Sequence, residues 1–124
     1  MTQEKALTAF KRLLDIEGYT YREKGEILIV STNSNVNLEY LNFLPKNINF
    51  YNGGYVRMGV EVIPENTVFR NNGNIYLDDF RGVSKGVRFE NYNFFIYCKT
   101  FNPLKIEGIS PQKVINCYIK QIYG

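Results

Sequence analysis

Between residues 27 and 97 apolar side chains recur at every second position, break off at a fixed place, and resume. Four twelve-residue windows align: ILIVSTNSNVNL (27–38), NINFYNGGYVRM (47–58), NTVFRNNGNIYL (66–77) and GVRFENYNFFIY (86–97), with starts 20, 19 and 20 residues apart. The second column holds Leu28, Ile48, Thr67 and Val87, and the fourth holds Val30, Phe50, Phe69 and Phe89. The tenth holds Val36, Val56, Ile75 and Phe95, and the twelfth Leu38, Met58, Leu77 and Tyr97. Between them the sixth column carries Thr32, Asn52, Asn71 and Asn91, and the eighth Ser34, Gly54, Gly73 and Asn93. Alternation with a period of two means a strand with one buried face. Asparagine and glycine tolerate the backbone of a tight corner. Each window therefore reads as strand, corner, strand.

The linkers EYLNFLPK, GVEVIPE, DDFRGVSK and CKTFNPLK add further apolar anchors, with Pro45 and Pro64 at equivalent places where no ladder hydrogen bond is asked of them. The chain is expected to be mainly β and α+β overall, a short β-solenoid of about four 19–20-residue coils across 27–108. The alternative is an antiparallel β-meander with two flanking helices. A hairpin reverses direction and would not keep one column's identity across windows, which favours the solenoid. Phe50, Phe69 and Phe89 should then stack in the core, and Asn52, Asn71 and Asn91 should form an amide ladder.

An open stack needs caps. Residues 3–17 place Leu7, Phe10, Leu13 and Leu14 on one helical face and stop at Gly18. The stretch YTYREKGEILIV reads as a hairpin turning at Gly25. Ser110 and Pro111 open a C-terminal helix whose docking face is Ile115, Tyr118, Ile119 and Ile122. The organisation is one domain over 1–124: a helix-and-hairpin cap (1–26), a repeat region (27–108) and a helical cap (109–124).

Composition narrows the function classes. The 124 residues are 44% hydrophobic and 22% charged, enough for a packed core. No run approaches the ~18 apolar residues of a membrane span, and charges stand where a signal peptide would be apolar. A cytoplasmic protein with no membrane partner is expected. There is no histidine, so imidazole chemistry is excluded. Cys98 and Cys117 match no zinc or redox spacing and read as free thiols. Asp78 and Asp79 are adjacent, so in a strand they would face opposite ways and not converge. No catalytic residue, metal site or cofactor is expected.

The net charge of +3 gathers late: residues 41–124 hold ten basic and six acidic residues. If even columns face in, odd columns face out. These supply a candidate partner-binding set of Tyr55, Arg57, Arg70, Tyr76, Arg88, Phe94 and Ile96, rich in the arginine and aromatic residues of interface hot spots. Phe94 and Ile96 would be outward apolar residues covered by the C-terminal helix, a partner or a second copy. The face lacks acidic residues until Asp78, so an acidic protein surface is the expected complement. Arg57, Arg70, Arg81, Lys85 and Arg88 could instead track phosphates, making nucleic acid the alternative partner.

The phrases LPKNINFYNGGYV and IPENTVFRNNGNI resemble the short β-solenoid or leucine-rich-like repeats of some bacterial and phage proteins, over about residues 27–108. The asparagine follows the second apolar residue too closely for an ordinary leucine-rich repeat, and there is no five-residue period. The resemblance implies repeat architecture and a non-catalytic binding role in a bacterial cytoplasm. It extends to a phage or mobile-element inhibitor of a host defence protein, or to an immunity or adaptor protein.

Overall fold

A computed structural model describes residues 2–77, 82–90 and 96–98, of which 82–83 and 96–98 are described as backbone only. It is a mixed α+β structure in which strands dominate. One helix, α1 (Gln3–Glu17), is followed by β1 (Tyr21–Lys24), β2 (Ile27–Val30), β3 (Val36–Leu38), β4 (Ile48–Phe50), β5 (Val56–Met58) and β6 (Val62–Ile63). Next come β7 (Val68–Phe69), β8 (Ile75–Leu77), β9 (Gly82–Val83), β10 (Arg88–Phe89) and β11 (Ile96–Cys98).

The strands form three sheets, ordered β1-β2-β4-β7-β10, β11-β8-β5-β3 and β6-β9. Among the described residues only β1 and β2 pair antiparallel, as the hairpin turning at Gly25. All other pairs are parallel, which rules out the meander. Leu28 pairs with Ile48, Phe50 with Phe69 and Phe69 with Phe89, so the first strands of the windows hold the register that their columns predict.

Parallel strands covered on one face by their own chain need a continuous apolar interior. The even columns supply it. Val30, Val36, Ile48, Phe50, Val56, Met58, Phe69, Ile75 and Leu77 are fully buried. Phe69 lies between Phe50 and Phe89, with ring centroids 5.4 and 4.9 Å away and planes within 12° and 10° of parallel. The linkers add Leu44, Val60 and Ile63 to the same cluster.

They also add a third sheet that alternation could not reveal, because two residues cannot show a period. Val62 pairs with Gly82 and Ile63 with Val83, and the Ser84 N–H donates to the Ile63 carbonyl at 2.8 Å. One window earlier the equivalent donor would be Pro64, which has no N–H. Leu44 accordingly lies outside any strand.

The corner between linker and first strand has its own column. Asn47, Asn66 and Gly86 all take left-handed backbone, with φ of 65°, 60° and 80°. The Asn66 amide donates to Asn47 Oδ1 at 3.0 Å. A Cβ at Gly86 would strike Asn66 Oδ1, so the asparagine column ends in glycine. The amide-to-amide hydrogen bond found between windows among the described residues thus stands in the first column, not the sixth. In the sixth column, Asn52 Nδ2 donates to the carbonyls of Ser34, Gly54 and Tyr55, and Asn71 Nδ2 to those of Gly54, Gly73 and Asn74. These are clamps on backbone at the corner, not a ladder between side chains; Asn91 lies outside the described residues.

The eighth column is small for lack of room. A Cβ on Gly73 would lie 2.6 Å from the Tyr55 nitrogen and 2.7 Å from the Gly54 carbonyl carbon. The fourth window has Asn93 there, and its register differs. Ile96 pairs with Ile75, Tyr97 with Tyr76 and Cys98 with Leu77, one residue later than the ungapped alignment of columns. Six residues separate Phe89 from Ile96, where five separate Phe69 from Ile75. The extra residue accompanies loss of the glycine. Ile96 thus falls in the register of the buried Val36, Val56 and Ile75, which corrects its assignment to an outward column.

The first window would present open backbone on every side, and the N-terminal segment closes each. Thr2 caps α1 by accepting from the Lys5 N–H, and Gly18 ends it in left-handed backbone. The helix buries Ala6, Phe10 and Leu14, while Leu7 and Leu13 are only half-buried against the core. On the first sheet, β1 pairs β2, and the Ser31 N–H donates to the Thr20 carbonyl. On the second, the Tyr19 hydroxyl accepts from the Asn37 N–H at 3.0 Å. On the linker side, Gln3 both donates to the Lys46 carbonyl (3.1 Å) and accepts from its N–H (2.9 Å). The expected C-terminal helical cap lies outside the described residues.

Candidate functional site

The candidate residues fall on two sheets. Tyr55, Arg57 and Tyr76 belong to the outward side of the second sheet. In β5 and β8 the flanking residues Val56, Met58, Ile75 and Leu77 are buried, which leaves Arg57 and Tyr76 half-buried between them. Arg57 and Tyr76 are register partners, and the guanidinium carbon of Arg57 lies 5.2 Å from the Tyr76 ring centroid. Tyr55 meets the same ring edge-on, at 5.4 Å and 89°. One ring therefore receives a cation and a second ring, a geometry in which the quadrupole of Tyr76 favours both neighbours.

An acidic residue that the column reading did not include also reaches this cluster. Glu39, just beyond β3, approaches the Arg57 guanidinium to 3.9 Å. The face is consequently less positive than its own columns suggest. A pair this exposed is weak, of the order of 0–1 kcal/mol, so an incoming carboxylate could compete for the guanidinium.

Arg70 and Arg88 lie on the outward side of the first sheet, apart from the tyrosine cluster. Both approach Glu90: Arg70 forms a hydrogen-bonded ion pair with it, and Arg88 lies 3.7 Å away. The same side carries residues absent from the sequence-based candidate set. Arg22 and Lys24 on β1 face the same way as Ile27 and Ile29, and Tyr51 is 60% exposed beside Arg70. Together with Asn49 these residues line a depression of about 450 Å³. The signal was legible: Arg22 and Lys24 are two apart in a hairpin strand, so they share a face.

Phe94 lies outside the described residues, as do Asp78, Asp79 and Cys117; Ile96 is placed by backbone register alone. Among the described residues no group of three or more His, Cys, Asp or Glu side chains could hold a metal ion. Nor, among them, is any helix long and apolar enough to cross a membrane. The Tyr21 pKa is raised, mainly by its hydrogen bond to Asp15.

No protein-family model, curated protein or solved structure matches this chain.

Proposed function

We propose that this protein is a non-catalytic protein-binding module built as a short β-solenoid of about four coils, with the Tyr55–Arg57–Tyr76 face as its contact surface. The observation that carries the reading is the fixed Arg57–Tyr76–Tyr55 cluster on a parallel sheet. Side chains held by ring and cation contacts lose little freedom when a partner arrives, which lowers the ordering cost of association. A parallel stack of 19–21-residue repeats supports the solenoid. The partner is a protein whose acidic surface displaces Glu39 from Arg57. The resemblance to bacterial and phage repeats favours a host protein, with the chain acting in the bacterial cytoplasm as an inhibitor of a defence protein. An immunity or adaptor protein is the neighbouring role.

Capture from a bacterial lysate at physiological salt tests the reading. One stoichiometric protein partner, lost with Arg57→Glu plus Tyr76→Ala while the circular-dichroism spectrum is unchanged, supports it. Undiminished capture by the double variant removes this face from consideration.

A second reading, nucleic-acid binding, is favoured by the four cations Arg22, Lys24, Arg70 and Arg88 on one sheet face. It predicts affinity falling log-linearly with salt, by about 0.7–0.9 per phosphate contact. A protein interface with a buried aromatic centre falls more gently.

A further inference from the structure

The first sheet carries a second row of side chains, independent of the tyrosine cluster, whose order is set by continuous register. Arg22 pairs with Ile29, Ile29 with Asn49, Asn49 with Val68, and Val68 with Arg88. These five residues cross the five strands on the outward side, with a cation at each end and a mainly apolar middle. Neighbouring strands are ~4.8 Å apart, so the two arginines are separated by about 19 Å. Ile29, Asn49 and Val68 are half-buried, and Ile27 beside them is 39% exposed. Shallow depressions of about 450 and 300 Å³ line this row and share Ile27, Asn49 and Arg70.

We propose that this row is a docking groove for an extended acidic peptide segment of a partner protein. An extended chain advances ~3.3 Å per residue and presents side chains to one face every ~6.6 Å. Seven residues therefore span the row, with carboxylates at positions one and seven over Arg22 and Arg88. Apolar side chains at positions three and five fall over the stretch from Ile29 to Val68. Phosphate backbone fits less well: a nucleic-acid strand repeats its charge about every 3.4 Å in a duplex, whereas Ile29, Asn49 and Val68 carry no charge and Arg70, beside the row, is already paired with Glu90. Glu90 does not close the site at Arg88, because one carboxylate cannot occupy all five N–H donors of an exposed guanidinium.

The test uses the full chain, labelled with ¹⁵N, and a seven-residue peptide with aspartate at one and seven, leucine at three and five, and serine elsewhere. The expected result is saturable amide shifts confined to Arg22, Ile29, Asn49, Val68 and Arg88. Arg22→Gln or Arg88→Gln should weaken binding about fivefold, and replacing both leucines by serine about tenfold. Arg57→Glu should leave it unchanged, which separates this groove from the tyrosine face. Three results would overturn the proposal: no shifts at millimolar peptide, equal shifts from a peptide with lysine at both ends, or tighter binding of an oligothymidylate to the same amides. Concentration-dependent shifts at these positions without peptide would assign the groove to a second copy of the chain and overturn it too.

Discussion

Asn52 and Asn71 meet at one atom: the Nδ2 groups of both donate to the Gly54 carbonyl oxygen, at 3.2 and 3.0 Å. Each asparagine also holds the carbonyls of its own corner, so the Gly54 oxygen joins two successive corners. The Asn71→Leu variant keeps the branching at Cγ and removes the donor. It should lose about 0.5–1.5 kcal/mol for each hydrogen bond removed, since the Gly54 oxygen keeps the Gly73 N–H and Asn52 as donors and the Asn74 oxygen keeps the Val56 N–H, read from the urea midpoint at constant slope. Asn71→Asp should lose more, since a carboxylate would face the carbonyls of Gly54, Gly73 and Asn74.

The central phenylalanine is the largest single contributor expected in the core. Phe69→Ala removes a ring stacked on both faces and should cost about 3–5 kcal/mol. Phe69→Leu, which keeps much of the volume, should cost less than half of that. Equal losses in a thermal melt would mean that cavity size does not govern this site.

Two glycines separate crowding from backbone conformation. Gly25→Ala has open space around it but a φ of 62°, so only the left-handed strain of about 1–2 kcal/mol applies. Gly73→Ala must push a methyl into the Tyr55 and Gly54 backbone and should be the more damaging substitution. Amide exchange at Tyr55 and Val56 should accelerate in the Gly73 variant and stay unchanged in the Gly25 variant.

Tyr21 gives the structure a pH signature. Its hydroxyl is held by Asp15, and its pKa is raised above the ordinary 10.0. The folded state then retains this proton more tightly than the unfolded state. The contribution is present in full below pH ~10, the unfolded value, and is lost as pH rises through the folded value. The NMR titration of the Tyr21 ring should report the raised pKa, and Asp15→Asn should bring it back toward 10.

Legibility followed the length of the pattern. The phenylalanine column, the hairpin at Gly25 and the helix at Gln3–Glu17 were readable because each extends over enough residues to show a period or a stop. The third sheet was not, since Val62–Ile63 and Gly82–Val83 are two residues long. The first column of the windows, Asn47, Asn66 and Gly86, was not read as a turn, although three residues tolerant of left-handed backbone at one position were a signal. The register at Ile96 was missed because Phe95, Ile96 and Tyr97 are all large and apolar or aromatic, so a shift by one leaves the pattern intact. For the candidate site, hydropathy sorted inward from outward up to Tyr76. The columns already put Arg70 and Arg88 before the corner and Arg57 after it, but hydropathy could not show that Glu39 reaches across to Arg57.

The N-terminal cap has a consequence for the order of events on the ribosome. Tyr19, Thr20 and Gln3 precede the first window and so emerge before it, and each supplies a partner that the window would otherwise lack. Every parallel partner after that lies 19–21 residues upstream, so a newly made strand finds its template already synthesised. A nascent chain halted once residue 77 has cleared the exit tunnel should therefore resist protease through Leu77. With Phe10 and Leu14 changed to serine, the same chain should be cleaved throughout, because vectorial assembly would have no first surface to build upon.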